Sequence, residues 1–256
     1  MQQSIISKTH SIRIFIERKL SNAAEGYGFG KMNYNDEIKE IILSGGGAFC
    51  GFADFEYCGL PRAVSYGVKL SDFVLSQIEN APTYTYFSHY RTANALLDRL
   101  SFIVGNYIEE RGYSYMPIPA SQTVNGHDSY AGEISHKKAA FLAGLGHIGK
   151  NSLFIHKKYG SKVRLGTVFT DMPFETDVPL KDNICGDCSV CSRVCPASAI
   201  YNKSFDPEHP EEDLLDRRAC SDYMKKAFGH IGRGSVCGIC IKNCPHNGLY
   251  TKNVKK

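Results

Sequence analysis

Eight of the ten cysteines in this 256-residue chain fall between Cys185 and Cys244. The first group is spaced Cys185-x2-Cys188-x2-Cys191-x3-Cys195-Pro196, the run found in bacterial ferredoxins. Two-residue gaps bring three thiolates onto one cubane from a tight loop. The fourth cysteine, followed by proline, leaves in another direction and reaches a second cluster. The second group, Cys237-x2-Cys240-x3-Cys244-Pro245, has Asn243 where a third close cysteine would fall, and Cys220 upstream can fill that vacancy. The assignment then closes: Cys185, Cys188, Cys191 and Cys244 for one [4Fe-4S] cluster, and Cys220, Cys237, Cys240 and Cys195 for the other. Zinc also accepts four thiolates, but crossed Cys-Pro ligation belongs to the ferredoxin run. A three-iron second cluster is the alternative if Cys220 points away. Cys50 and Cys58 match no metal spacing and read as two buried thiols, small hydrophobes in their packing.

Other residues could do chemistry upstream. Gly144, Gly146 and Gly149 form G-x-G-x-x-G within Ala143-Gly-Leu-Gly-His-Ile-Gly-Lys-Asn151. A dinucleotide site needs a strand before that motif, and the pattern here gives a helix. The glycines still allow close backbone approach to a flat ligand. Lys150 and Arg164 could meet phosphate or carboxamide groups. His136 and His147 could contact such a ligand, supply a proton, or simply be hydrogen-bonded loop residues. The aromatic run Tyr84-Thr85-Tyr86-Phe87-Ser88-His89-Tyr90-Arg91 could wall a pocket, with Asn94 facing the same space, or be core and helix entry.

These residues need a scaffold, and the length and composition allow one. Hydrophobic content of 43%, charged content of 22% and a net charge of +4 describe an ordinary globular protein, too mildly basic to argue for nucleic acid. No run of 18 apolar residues, signal peptide or twin-arginine signal is visible, so the reading is cytoplasmic with no membrane partner. Periodicity predicts an amphipathic helix over 1–25 and a short helix over 35–43. A glycine turn at 45–47 leads to a strand over 48–55. A helix over 92–111, with Leu96, Leu100, Ile103, Val104, Tyr107 and Ile108 on one face, is closed by Gly112. An extended segment over 113–119, a polar loop over 120–134, a helix over 136–142 and a strand over 163–170 follow. A boundary is expected near residue 178. Clusters that exchange ligands lie close together, which suits electron relay, and residues 1–178 are where the electrons would be used.

The motifs carry a resemblance. Ala143 to Asn151, then Val163 to Asp171 (VRLGTVFTD), then the Cys-Gly-x-Cys-x-x-Cys-x-x-x-Cys-Pro run, with Arg218-Ala-Cys-Ser-Asp-Tyr223, resemble the epoxyqueuosine reductases and their relatives, the reductive dehalogenases. The resemblance spans about residues 84–247. It implies an α/β (α+β) fold, with a nitroreductase-like cobalamin-binding domain at 1–178 and a two-cluster ferredoxin-like domain at 179–256. It also implies a base-off cobalamin near the residues matching that loop: Gly144, Leu145, Gly146, His147, Ile148, Gly149, Lys150 and Asn151.

The family's tRNA enzymes carry an Asp proton donor before the Ala-Gly-Leu-Gly run. An ungapped count places Tyr130 there, with Asp128 two residues earlier. The dehalogenase relatives use a Tyr, and Tyr130 is accordingly the candidate catalytic acid. A Trp common in the family's loop is His147 here. The tRNA enzymes also have a C-terminal helical-repeat domain, which this sequence does not show after Cys244, so tRNA is a doubtful substrate. The expected function is a cobalamin-dependent iron–sulfur reductase acting on a small molecule or partner protein, fed by an electron donor such as ferredoxin or flavodoxin. The alternatives are a corrinoid-free electron-transfer protein and a reductase holding FMN, which nitroreductase-like domains bind elsewhere.

Overall fold

In the computed structural model, residues 33–122, 130, 132–181, 183–208 and 211–247 are described. The helix expected over 1–25, the glycines at 26–30 and Asp128 lie outside them. Residues from Tyr34 onward form one compact unit.

Its centre is a four-stranded antiparallel sheet in the order β1-β2-β6-β3, built from β1 (Phe49–Tyr57), β2 (Leu60–Lys69), β3 (Tyr115–Ile118) and β6 (Val163–Thr170). Side chains alternate across a strand, and β2 and β6 use both faces. Val64, Tyr66, Val68 and Val168 enter one core. Ala63, Val163, Leu165 and Phe169 enter another on the opposite face. Ile38 and Ile42 of α1 (Tyr34–Ser44) and Leu97, Leu100 and Val104 of α3 (Tyr84–Glu109) cover the first face. Ala140 and Phe141 of α4 (His136–Leu142) cover the second, with Leu145, Ile148 and Phe154 from the hairpin β4 (Gly146–Ile148)–β5 (Phe154–His156). The result is three layers around two apolar interiors. The first core also takes in Phe228, Ile231, Val236 and Ile239 from the cysteine-rich part.

The structure departs from the sequence reading in four places. The long helix starts eight residues earlier than expected, at Tyr84, because the Thr83 hydroxyl accepts from the Tyr86 N–H (3.0 Å) and caps it. The aromatic run is thus the first two turns of α3, with Tyr86 buried and Tyr84 exposed. Within that helix Leu97 heads the buried stripe, while Ile103 is exposed. Strand β2 escaped detection. Its turn, Cys58-Gly59, has positive φ at both residues (53° and 80°), the geometry of a tight hairpin, but lacks the Asn or Asp that usually signals it; at the hairpin tip Cys58 is exposed and not buried as expected. Finally, the glycine run is half strand: Gly146 pairs with His156 so closely that a Cβ there would lie 2.2 Å from the Ile155 carbonyl oxygen.

Two short helices complete the scaffold before the cysteines. These are α2 (Asp72–Ser76), capped by the Ser71 hydroxyl, and α4, whose first turn is capped by the Ser135 hydroxyl accepting from the Lys138 N–H (3.2 Å). No helix among the described residues is long and apolar enough to cross a membrane.

His156 gives this scaffold a pH dependence. The ring is 4% exposed and stacks on Phe49 (4.1 Å between centroids) and Tyr159 (4.9 Å). Its Nδ1 accepts from the Lys158 and Tyr159 N–H groups (3.0 and 3.2 Å), and its Nε2 is buried without a partner. Burial, then Lys157 and Lys158, push its pKa down to about 4. The neutral form is therefore favoured by folding. That contribution is complete above the ordinary histidine pKa near 6.5 and is lost as pH falls toward 4. In thermal melts between pH 6.5 and 4, His156→Phe should lose less stability than the native chain, by about 2 kcal/mol after allowing for solvent screening. Parallel pH profiles would show that His156 is not the group responsible.

Candidate functional site

The cysteine-rich part is organised by short helices that end at their sulfurs. Cys185 and Cys188 share a turn in which the Cys188 N–H donates to the Cys185 carbonyl (2.9 Å). Helix α5 (Val190–Val194) carries Cys191 in its first turn, and Cys195 follows its end in extended conformation ahead of Pro196. Helix α6 (Arg217–Phe228), capped by the Asp216 carboxylate on the Ala219 N–H (2.8 Å), presents Cys220. Helix α7 (Ile239–Lys242) carries Cys240. It follows Gly238, whose φ of +81° and contact with Ile78 and Tyr86 leave no room for a side chain.

The eight sulfurs fall into two sets. Cys185, Cys188, Cys191 and Cys244 surround one small cavity, closed by Asn151, Ile155, Pro245 and His246. Cys195, Cys220 and Cys237 lie near enough to Cys240 to act on it electrostatically, as more weakly does Cys191. Burial pushes the thiols of Cys191 and Cys220 up to about 11, reinforced by neighbouring cysteines, and raises Cys240 further. Iron binding must therefore displace protons from these sites. Four sulfurs around one cavity match the ligand count of a [4Fe-4S] cluster.

A larger cleft, about 620 Å³, opens beside the first set, a volume typical of cofactor sites. Its walls come from the 118–122 segment after β3, the approach to and first turn of α4 (132–137), the hairpin residues Ser152, Leu153 and Phe154, and Val163 to Leu165 of β6. Arg217 of α6 and Ile241, next to Cys240, close it from the cysteine side. Ser161 belongs to both places: it lines the cleft, and its hydroxyl lies near enough to Cys244 to oppose the rise that burial imposes on that thiol's pKa. The Asn247 side chain fixes it, its Oδ1 accepting from the Ser161 N–H at 2.7 Å.

The cleft's polar groups are held in place. Arg164 donates from Nε to Asn94 Oδ1 (2.9 Å) and from Nη2 to the Ala120 carbonyl (3.2 Å), and lies 4.3 Å from the Tyr90 ring centroid. His136 Nε2 lies 3.0 Å from the Pro119 carbonyl, which only accepts, so that nitrogen carries the hydrogen and Nδ1 accepts from the Thr167 hydroxyl (2.8 Å). Burial lowers its pKa. It is a neutral wall with both nitrogens engaged. Lys137 Nζ donates to the Ser152 carbonyl (2.8 Å) and hydroxyl (3.0 Å), tying α4 to the hairpin.

The remaining sequence candidates are distributed unevenly. Tyr130 lines the cleft with φ of +45°, a left-handed conformation costly for a bulky residue, and Lys225 Nζ lies 5.3 Å from its ring centroid. Gly144, Leu145, Gly146, Ile148, Gly149 and Lys150 are buried in and around the hairpin, and His147 is half-buried near Phe141. Asn151 borders the first cysteine cavity. The wall facing the cleft starts one residue later, at Ser152. Sequence reasoning passed over Ser152 to Phe154, Ser161, Arg217 and Ile241. Only Arg217 carried a signal, its place three residues before Cys220.

Replacing Cys220 tests the second set. Cys220→Ala should lower bound iron from about eight to between four and seven atoms per chain, leaving one cubane intact. Unchanged iron and visible spectrum would remove Cys220 from the ligands.

Comparison with known proteins places these features. Residues 184–247 match the family model for a 4Fe-4S double cluster binding domain. An epoxyqueuosine reductase of Listeria monocytogenes is 33% identical over 118 residues, 45% of this chain and 30% of that protein. A tetrachloroethene reductive dehalogenase of Dehalobacter restrictus is 27% identical over 234 residues, 83% of this chain and 39% of that protein. The chain thus spans about a third of the length of these curated relatives. A solved reductive dehalogenase, described as suggesting a mechanism for B12-dependent dehalogenation, superposes with a TM-score of 0.66 at 19% identity over 90% of this chain and 35% of that one. An epoxyqueuosine reductase solved with an epoxyqueuosine-modified tRNA stem loop gives 0.55 at 19% identity, over 84% and 65%. The chain has the fold shared by reductive dehalogenases and epoxyqueuosine reductases, and its residues 184–247 match a double-cluster domain.

Proposed function

We propose that this protein is a cobalamin-dependent iron–sulfur reductase. Residues 34–178 form its cofactor-bearing part and residues 179–247 its electron relay. The shared position of Ser161 carries the reading: one serine lines the cleft and its hydroxyl acts on the thiol of Cys244 in the first sulfur set. A group bound in the cleft therefore lies one side chain from that set. Cobalamin held there supplies a metal centre that accepts single electrons and serves as a strong reductant and nucleophile.

The chain's own residues supply the rest. Cys195, Cys220, Cys237 and Cys240 hold the cluster where electrons enter, and Cys185, Cys188, Cys191 and Cys244 hold the one that passes them to the cleft. Ser121, Gln122, Ser135 and Ser152 offer neutral hydrogen-bonding groups on the cleft wall, suited to the amide-bearing rim of a corrin. Arg164, pinned by Asn94 and Ala120, keeps a fixed positive charge at one side. Tyr130 holds the proton to be delivered at its phenolic oxygen, with the Lys225 ammonium over its ring. The protonated form of His136 is disfavoured, so it does not compete for that role.

Two substrate classes follow from the relatives. The first is a small halogenated molecule, favoured by the tetrachloroethene reductive dehalogenase relative. A tRNA anticodon stem loop is the second reading, favoured by the relative solved with one and by the 33% identity to an epoxyqueuosine reductase.

Anaerobically reconstituted protein titrated with hydroxocobalamin should bind it and shift its visible spectrum. Uptake of FMN instead would favour a flavin reductase. Uptake of neither, with cluster absorption intact, would favour a corrinoid-free electron carrier. With a bromophenol and an epoxyqueuosine-bearing stem loop as probes, turnover decides between the substrate classes. Tyr130→Phe should slow whichever is turned over by about 100-fold without reducing cobalamin uptake. An unchanged rate would exclude Tyr130 as the acid.

A further inference from the structure

Positive charge is concentrated on α6 and the segment after it, immediately following a run of six acids at 206–216 that ends at Asp216, the acid that caps α6 and acts on Cys220. Between Arg217 and Lys242 lie six Lys or Arg residues and a single acid, Asp222, whereas the whole chain balances 30 basic against 26 acidic residues. Those 26 residues therefore carry more net positive charge than the entire molecule, and the remainder is slightly acidic. Arg218, Lys225, Lys226 and Arg233 are exposed. Asp222 neutralises little, since its contact with Arg218 is a solvent-exposed pair at 3.9 Å. The 232–234 turn packs against α6 and so holds Arg233 beside that helix.

Exposed aromatic side chains border the same region. Phe73 is 75% and Tyr84 65% exposed, and the Tyr84 ring lies 6.4 Å from that of His230. They project from α2 and α3. Helix α2 packs against α7, and Tyr86 of α3 meets Gly238, so both back the loop that carries Cys237 and Cys240. Aromatic and arginine side chains on a surface otherwise rich in charge are the composition of a protein docking face. Its cationic part is carried by the same helix that presents Cys220.

We infer that the face formed by α6, the 232–234 turn and the exposed Phe73 and Tyr84 docks an acidic electron-transfer protein, which reduces the second cluster directly. The inference rests on the electron-relay reading. A basic face steers an acidic partner over long range and orients it, and here it surrounds the element holding a ligand of the cluster to be reduced. In the transfer, the donor's reduced centre loses one electron and the second cluster gains it; no proton moves. A nucleic acid would meet the same charge, but it would gain nothing from a position over the second sulfur set.

The test uses cluster-loaded full chain and a plant-type [2Fe–2S] ferredoxin as the acidic probe. The variant is R218E/K226E/R233E, which touches neither the cleft nor a cysteine. Ferredoxin affinity should weaken by about 10- to 100-fold in the variant, and in the native chain as salt rises. Reduction of the variant's clusters by ferredoxin should slow in proportion, while reduction by dithionite stays at the native rate. Equal affinity and equal ferredoxin-driven rates for the two proteins would overturn the docking face. So would an unmodified tRNA stem loop that binds this face, loses affinity in the variant and displaces nothing, with ferredoxin failing to bind. Failure of dithionite to reduce either protein would instead count against the relay reading, and the affinity comparison would still decide the docking face.

Discussion

Eight buried or half-buried sulfurs must be kept apart as two sets of four, and a helix of five residues does it. Cys191 lies in the first turn of α5 and Cys195 just beyond its end, so one turn and a half of backbone feeds both sets. Pro196 cannot continue the helix, and the residue before a proline is held extended, which turns Cys195 away from Cys191. Cys244, also ahead of a proline, crosses in the opposite sense to join Cys185, Cys188 and Cys191. Each loop thereby supplies a sulfur to the other's set, and neither set is complete without both.

That mutual dependence explains how the cysteine segment is anchored. Phe228, Ile231, Val236 and Ile239 do not form a core of their own; they enter the apolar interior under α1 and α3. Ser161, at the start of β6, is tied to Asn247 at the far end of the cysteine segment. The sheet and helices thus hold the sulfur loops from two sides, at the first core and at the Ser161–Asn247 contact. The spacing of the two sets is thereby fixed by the larger scaffold.

Much of this was legible from residue spacing, because local chemistry dictated it. The cysteine intervals gave the two sets, the apolar periodicity gave α4 and most of α3, and β-branched residues marked β6. What the sequence concealed was set by tertiary contact. The aromatic start of α3 has modest helical preference, and it is helical because Thr83 caps it and Tyr86 and Phe87 pack against the glycines at 238 and 232. The glycines at 146 and 149 looked like space for a ligand, yet their freedom is taken up by Ile155 of the neighbouring strand. The cleft wall starts at Ser152, and no periodicity distinguishes Asn151 from the residue after it. Arg164 was recognisable as a charge, but its role as a pinned cation depends on Asn94, 70 positions away.

The β4–β5 hairpin separates the cleft from the first sulfur cavity with a partition barely one strand thick. Asn151 and Ile155 face the sulfurs while Ser152, Leu153 and Phe154 face the cleft. Water access and hydrogen bonding near the sulfurs set a cluster's reduction potential. Evolution reshaping this partition for a new guest molecule would alter the driving force for electron delivery at the same stroke. Any substitution in this partition that reshapes the cleft also changes what surrounds the first sulfur set.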